Sequence, residues 1–481
     1  MFAPQARVIS RGQTAEKAVI QIHVSVPTRA ASKIAEWCAA SMPSKVYGVN
    51  LGSWLVLESW MLPQEWLNMG GQSCSDCSTC IADEFSFAEA FPDTVDAIFK
   101  THWETWFNQT DVSTLKNLGI NTVRIPLGYW IVEQLVNRQT EFYPRGGLEQ
   151  LIRGLEQLHA AGIVAILDHH ALPGVQTPNQ MFTGHCTSDV EFYTSPNYLR
   201  ALTWAGVMTA LSHLHPAFAP VFAIEAVNEP IMDAAQTPGY GAYQENFVTV
   251  VRGVEAAVGV KTQGLDSPQT TANASQAILD FASAQSSIRF NSDVKTAMGN
   301  TANILAQIAS DGSTQFNLRG SGHGQTSLVT NFMDVNWQND NPPNPAAAAW
   351  GPQAYDNHLY YVFGGVAAAD PEDYMVSICN LGRVQADAAL GDSPLWFGEW
   401  GLPTQFDATD MFLQEWADAQ KLAYSKGAGW IFWNFKVEHS ELAGNLSREW
   451  SYIDGVEFGY LTKDPSTVHN TNVCAPFVTS S

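Results

Sequence analysis

Short runs of β-branched and aliphatic residues recur along this chain, and each is followed by a longer stretch with apolar residues three or four apart. Val46–Leu51, Asn121–Pro126 (NTVRIP), Ile163–Asp168 (IVAILD) and Val221–Val227 (VFAIEAV) read as strands, and Tyr355–Tyr360, Leu395–Phe397 and Gly429–Trp433 continue the series. Gly147–Ala161 and Thr409–Lys426 read as helices between them. A further helix, from Asp111, closes at Gly119 directly ahead of the second strand. Buried parallel strands alternating with helices make βα units, and eight such units close into a barrel. The expected fold class is therefore α/β, a (β/α)8 TIM barrel. A doubly wound sheet is the competing arrangement, but it normally carries a Gly-rich phosphate turn after its first strand, and none is present.

Residues 236–345 break the rhythm. They are rich in Ala, Gln, Asn, Ser, Thr and Gly and end in the proline-rich Asn341-Pro-Pro-Asn-Pro. That is too long for an ordinary loop, so the stretch is expected to be a large insertion on the catalytic face, a candidate lid, with helices over Ala277–Ser283 and Val294–Ile308. The barrel domain is expected over residues 44–474, with a tail at 475–481 and an atypical N-terminal extension at 1–43. In that extension the one apolar stretch, Ala18–Val26, is interrupted by Gln21 and His23, unlike a secretory leader. No run of 18 apolar residues occurs, so no membrane span is expected.

The chain carries 24 basic against 47 acidic residues, a formal charge of −23. Such a surface repels nucleic acid and anionic membranes and suits a neutral substrate. Sixteen Trp fit a carbohydrate binder, because sugar rings present apolar faces that pack on indoles; a large core would use them equally well. The run Cys74-Ser-Asp-Cys77-Ser-Thr-Cys80 has a metal-like look, but no matching Cys-x-x-Cys or His-x-x-x-His cluster accompanies it. Three sequons, at Asn108, Asn273 and Asn445, are glycosylation candidates that agree with an oxidising, secretory or cell-wall location. Disulfides are therefore expected among the seven cysteines, leaving one odd thiol, with Cys38 the candidate. The pairing of Cys74, Cys77, Cys80 and Cys186 stays open.

Polar and charged residues collect just after several strands: Glu58, Arg124, His170, Glu229, His358 and Glu399. The carboxyl ends of the strands are where a barrel keeps its active site. Asn228-Glu229-Pro230 follows the fourth strand, and Phe397-Gly398-Glu399-Trp400-Gly401 presents a second glutamate in the same way. Glycoside hydrolysis needs two carboxylates across one bond, about 5–5.5 Å apart in a retaining enzyme. An arginine beside a nucleophilic carboxylate keeps it ionised; Arg124 fits that place, or an ordinary ion pair. His170 and His358 near two carboxylates fit no standard zinc spacing and read better as hydroxyl-binding groups. Trp433, in the aromatic-rich last strand, is a candidate sugar platform; Trp430 reads equally as core.

At these residues the sequence resembles glycoside hydrolase family 5, and within it the fungal exo-β-1,3-glucanase branch. The matching segments are YGVNLGSWLVLE at 47–58, GINTVRIPLGYW at 119–130, LDHHALPG at 167–174, VNEP at 227–230, DNHLYYVF at 356–363, FGEWG at 397–401 and GWIFWNFKVE at 429–438. The resemblance implies retention of configuration, with Glu229 as acid/base and Glu399 as nucleophile. It implies that Arg124, His170, Asn228, His358, Tyr360 and Trp433 shape the subsite around the cleaved sugar, and that Glu58 binds hydroxyls of a terminal glucose. Cys379 and Cys474 match a pair that ties the tail to the barrel. A monomer acting on a β-glucan, with no metal or organic cofactor, is expected. The first expectation for the activity is a glucan exo-1,3-β-glucosidase; the alternatives are an endo-β-1,6-glucanase and a non-catalytic carbohydrate-binding barrel. The sequence departs from the family at Ala171-Leu172, where Gly-Ala is usual, at Phe435, where a second Trp is usual, and in the 236–345 and Cys74–Cys80 segments.

Overall fold

The computed structural model describes residues 40–266, 273–286, 288–310, 325–335 and 344–478. Residues 1–39, hence Cys38 and most of the expected extension, lie outside the described residues. Eight strands form a closed barrel in chain order: β1 (Val46–Asn50), β2 (Thr122–Gly128), β3 (Val164–Ala171), β4 (Val221–Glu225), β5 (Val329–Met333), β6 (Gln353–His358), β7 (Leu395–Glu399) and β8 (Gly429–Phe432). Every neighbouring pair is parallel, β8 to β1 included. This is the (β/α)8 architecture expected from the alternation.

The barrel interior is layered. Val46, Ile166, Phe222, Ala223, Val329, Ala354, Trp396 and Ile431 fill its lower part as one apolar cluster. Above them the inward positions turn polar: Asn50, Arg124, Asp168, Glu225, Asn331 and Asp356 are all fully buried. A period of two along each strand keeps the two sets on the same interior face. β2 does not stop at Pro126, as its sequence suggests, but pairs with β3 through Gly128. β1 ends at Asn50, opposite Arg124, so the N–H that Pro126 lacks would have met no strand on that side.

The expected 236–345 insertion needs correcting. It contains the barrel helix Tyr240–Ala257 and strand β5. Between these two lie the helices Ala274–Ala284 and Ser292–Ser310, which pack on the outer wall against Tyr240–Ala257 and Ser195–Leu214 rather than over the catalytic face. Their cover explains why Ala201–Leu214 is buried on every side. Gly206 makes the approach possible, since a Cβ there would sit 2.2 Å from Thr301 Oγ1.

Three disulfides close: Cys74–Cys80, Cys77–Cys186 and Cys379–Cys474. The third is the pair implied by family resemblance; the second joins the loop after β1 to the loop after β3. Two of the sequon asparagines, Asn108 and Asn273, cap helices through Oδ1, and Nδ2 is the atom a glycan would use. No helix among the described residues is long and apolar enough to cross a membrane.

Glu84, the first residue of the helix Glu84–Ala90, ties the segment after the Cys74–Cys80 loop to the site. Its Oε1 accepts the Leu57 N–H at 2.8 Å, next to Glu58, and burial raises its carboxyl from the ordinary 4.5 to about 8. The folded state therefore holds this proton more tightly than the unfolded chain between those two values, so stability falls as pH rises through that window. Glu84→Gln keeps the acceptor and removes the charge. Melting curves from pH 5 to 8 should show a flatter pH dependence for the variant and a gain at pH 8 on the order of 1 kcal/mol or more; parallel wild-type and variant curves would contradict this.

Candidate active site

The carboxyl ends of the strands bring the expected residues together around one guanidinium. Arg124 Nε and Nη2 meet the Glu225 carboxylate at 2.9 and 3.1 Å. Its Nη1 donates to Glu399 Oε1 at 3.0 Å and to Asn50 Oδ1 at 3.1 Å, and stands 3.0 Å from Asp168 Oδ2. Its Nη2 also donates to Asn228 Oδ1 at 2.8 Å. The side chain is wholly buried, and despite the cost of that burial the surrounding carboxylates hold it firmly charged. A fork pinned on three edges has no freedom to turn, so the direction of the Nη1–Glu399 bond is set by the barrel itself.

Glu399 takes a second hydrogen bond, from the Tyr360 hydroxyl to Oε2 at 2.9 Å. It ends β7, where Gly398 is required: a Cβ there would lie 2.0 Å from Asp356 Oδ2, and the Gly398 N–H donates to Asp356 Oδ1 at 2.6 Å. Burial pushes the Glu399 carboxyl up, to about 8, against the opposing pull of His358 and Arg124.

Glu229 follows β4 with φ +42°, a left-handed conformation that costs a non-glycine residue on the order of 1–3 kcal/mol. Its Oε1 is 2.8 Å from His358 Nδ1, which is also 3.5 Å from Glu399 Oε2. One side-chain oxygen from each glutamate and a His358 ring nitrogen all lie within 4.8 Å of one another. Burial works against a charge on His358, but Glu399, Asp356 and Glu229 around it raise it well above the ordinary imidazole range. These carboxylates favour the charged imidazolium between the two glutamates.

His170 is the opposite case. Burial, with Arg124 adding, drops it far below the ordinary range, so it is neutral. Nδ1 donates to Asp168 Oδ2 at 2.6 Å, which leaves Nε2 as an acceptor; among the described residues that atom has no partner. Its ring lies parallel to Trp433, centroids 5.7 Å apart. Gly52 packs against the Trp433 indole, at 3.0 Å for a notional Cβ. Asn228 likewise keeps Nδ2 without a protein partner. Glu58 accepts from Trp60 Nε1 at 3.0 Å; burial raises it to about 7, with the charge of Glu229 adding. Trp430 is core, packed on Tyr47, Trp400 and Tyr452.

Reading the sequence residue by residue missed Glu225, Asp356 and Asn50. Two of them carried a signal. Glu225 is the one charge in the buried run VFAIEAV, and Asp356 stands two residues before His358, hence on the same face of β6.

The chain has relatives among known proteins. Residues 93–439 match the family model for cellulase (glycosyl hydrolase family 5). The glucan endo-1,6-beta-glucosidase B of Emericella nidulans is 30% identical over 461 residues, 93% of this chain and 91% of that protein. The glucan 1,3-beta-glucosidase of Blumeria graminis is 33% identical over a shorter span, 39% of this chain and 41% of that protein. Among solved structures, the rutinosidase from Aspergillus niger matches with TM-score 0.55 at 17% identity, covering 86% of this chain and 97% of that one; that likeness is one of fold. With the family model spanning most of the barrel and both glutamates inside it, the chain belongs to glycosyl hydrolase family 5 and is a glycoside hydrolase.

Proposed function

We propose that this glycoside hydrolase is a secreted, retaining endo-β-1,6-glucanase, with Glu399 as nucleophile and Glu229 as acid/base. One observation carries the mechanism: Glu229 and Glu399, 170 residues apart in sequence, offer carboxylate oxygens within 4.8 Å of each other. That is the close spacing of a double displacement, not the 6.5–9.5 Å that leaves room for a water between the groups.

Arg124 and Tyr360 donate to Glu399 and favour the charge a nucleophile needs, against the burial that raises its carboxyl; Glu229, across from it beside His358 Nδ1, takes the acid/base role. In the first step a Glu399 oxygen bonds to the anomeric carbon as the glycosidic C–O bond breaks, and Glu229 delivers its proton to the departing oxygen. In the second, Glu229 takes a proton from water, the hydroxyl bonds to the anomeric carbon, and Glu399 is released as carboxylate. The orphan Nε2 of His170 and Nδ2 of Asn228 suit sugar hydroxyls, and Trp433 suits the apolar face of the ring.

The linkage is supported by extent of likeness. The relatives named for endo-1,6 activity match along 85–93% of this chain, whereas those named for 1,3 activity match over 39–45%. The three disulfides fit an extracellular route. An exo-1,3-glucosidase remains the second reading, favoured by Glu58 buried beside Trp60 where the exo branch holds a terminal glucose.

Two results check this. Pustulan should yield a ladder of β-1,6 oligosaccharides, with laminarin a poor substrate; glucose alone from laminarin would install the exo-1,3 reading instead. Glu399→Gln and Glu229→Gln should melt near the wild-type temperature while losing about 10³-fold or more in turnover. Wild-type turnover by either variant would refute its role.

A further inference from the structure

Glu229 is held from a direction that its chemistry does not use. Its carbonyl accepts the Thr177 hydroxyl. The neighbouring Asn228 carbonyl accepts Gln176 Nε2 at 3.1 Å, and the same Nε2 donates to the His170 carbonyl at 2.7 Å. Gln176 Oε1 accepts the Leu172 N–H at 3.2 Å, so the whole amide is engaged, and the side chain is fully buried. The Tyr193 hydroxyl donates to the Gln176 carbonyl at 3.0 Å and accepts the Ile231 N–H at 2.8 Å. The turn after β3 is thus bonded to the turn after β4 on both sides of Glu229.

Both turns are unusual. Glu229 has φ +42°, and on the other side Gly174 has φ +79° and Val175 φ +60°. Valine is branched at Cβ and avoids this region. A conformation of this kind persists only where its surroundings over-determine it, and here the surroundings are each other.

We propose that Gln176 and Thr177 are positioning residues for the acid/base: by bonding the Asn228 and Glu229 carbonyls they hold the turn in its left-handed form, which aims the Glu229 carboxyl across the site at Glu399. The proposal rests on the reading of Glu229 as acid/base. Without the Thr177 hydroxyl the Glu229 carbonyl loses its donor, the turn relaxes toward the extended region that a non-glycine residue prefers, and the carboxyl swings away from the leaving oxygen.

Leaving groups distinguish a misplaced acid from a damaged fold. A phenoxide leaves poorly without a proton; a 2,4-dinitrophenoxide needs none. Thr177→Val should therefore lower kcat/KM on phenyl β-gentiobioside or phenyl β-glucoside by about 10–100-fold, and change the 2,4-dinitrophenyl counterparts by less than about threefold. Thr177→Ser, which restores the donor, should return both to wild-type values and controls for the tolerance of the site. Gln176→Leu should repeat the leaving-group signature if it folds. An equal fall on both leaving groups, or no fall on either, would overturn the proposal. Glu229→Ala run in parallel separates the two layers. If it shows the same signature, with azide restoring turnover as a β-glycosyl azide, the acid/base stands and a flat Thr177→Val result removes the positioning role alone. If azide has no effect and the leaving group does not matter, the assignment of Glu229 falls and takes the proposal with it.

Discussion

The upper barrel is organised around one buried positive charge. Arg124 sits at full burial with Glu225 on one edge, Asp168 and Glu399 on another and Asn228 on the third. Taking a guanidinium out of water costs several kcal/mol, and only partners fixed at contact distance on all sides offset that. Those partners come from β3, β4, β7 and the turn after β4, so closing the barrel and building the site are the same event. Asp356, 3.8 Å from Arg124 Nε, reaches Gly398 and extends the network to the strand that carries Glu399.

Carboxylates outnumber cations in this buried layer. Asp168, Glu225, Asp356 and Glu399 face Arg124 and His358. Burial raises Asp168 to about 7, Glu225 to about 8 and Glu399 to about 8, with Arg124 opposing in each case. The excess of negative charge favours the charged form of His358 beside the two glutamates despite its burial, whereas burial takes the charge from His170, with Arg124 and His358 adding and Glu229 opposing. Two histidines from similar sequence contexts are thereby given different work: one carries charge between the glutamates, the other offers a neutral acceptor.

Much of this was legible before any coordinates. Gly147–Ala161 is a helix over those residues, as its apolar spacing predicts, and Gly162 closes it in a left-handed conformation. Glu229 and Glu399 were found because each follows an apolar strand beside a residue that bends or stops the chain. β5 was missed. VTNFM carries Asn331 at its centre and lies within a long polar stretch, so neither alternation nor an apolar run marks it. The two helices at 274–310 were seen, but their place was not. The clue lay elsewhere, in the all-round apolar run at 201–214 that needs a second layer outside it. The bonds from Gln176 and Thr177 to the turn at Glu229 span 52 residues and join side chain to backbone, a contact that no local pattern records.

The proposed nucleophile, Glu399, must form the bond to the sugar. A 2-deoxy-2-fluoro-β-gentiobiosyl or β-glucosyl fluoride should inactivate the enzyme with time, because the 2-fluorine slows both steps while the good fluoride leaving group keeps the first one fast. Mass spectrometry of the digested protein should then find one glycosylated peptide, with the label on Glu399. A label on Glu229, Glu58 or any other carboxylate would contradict the account.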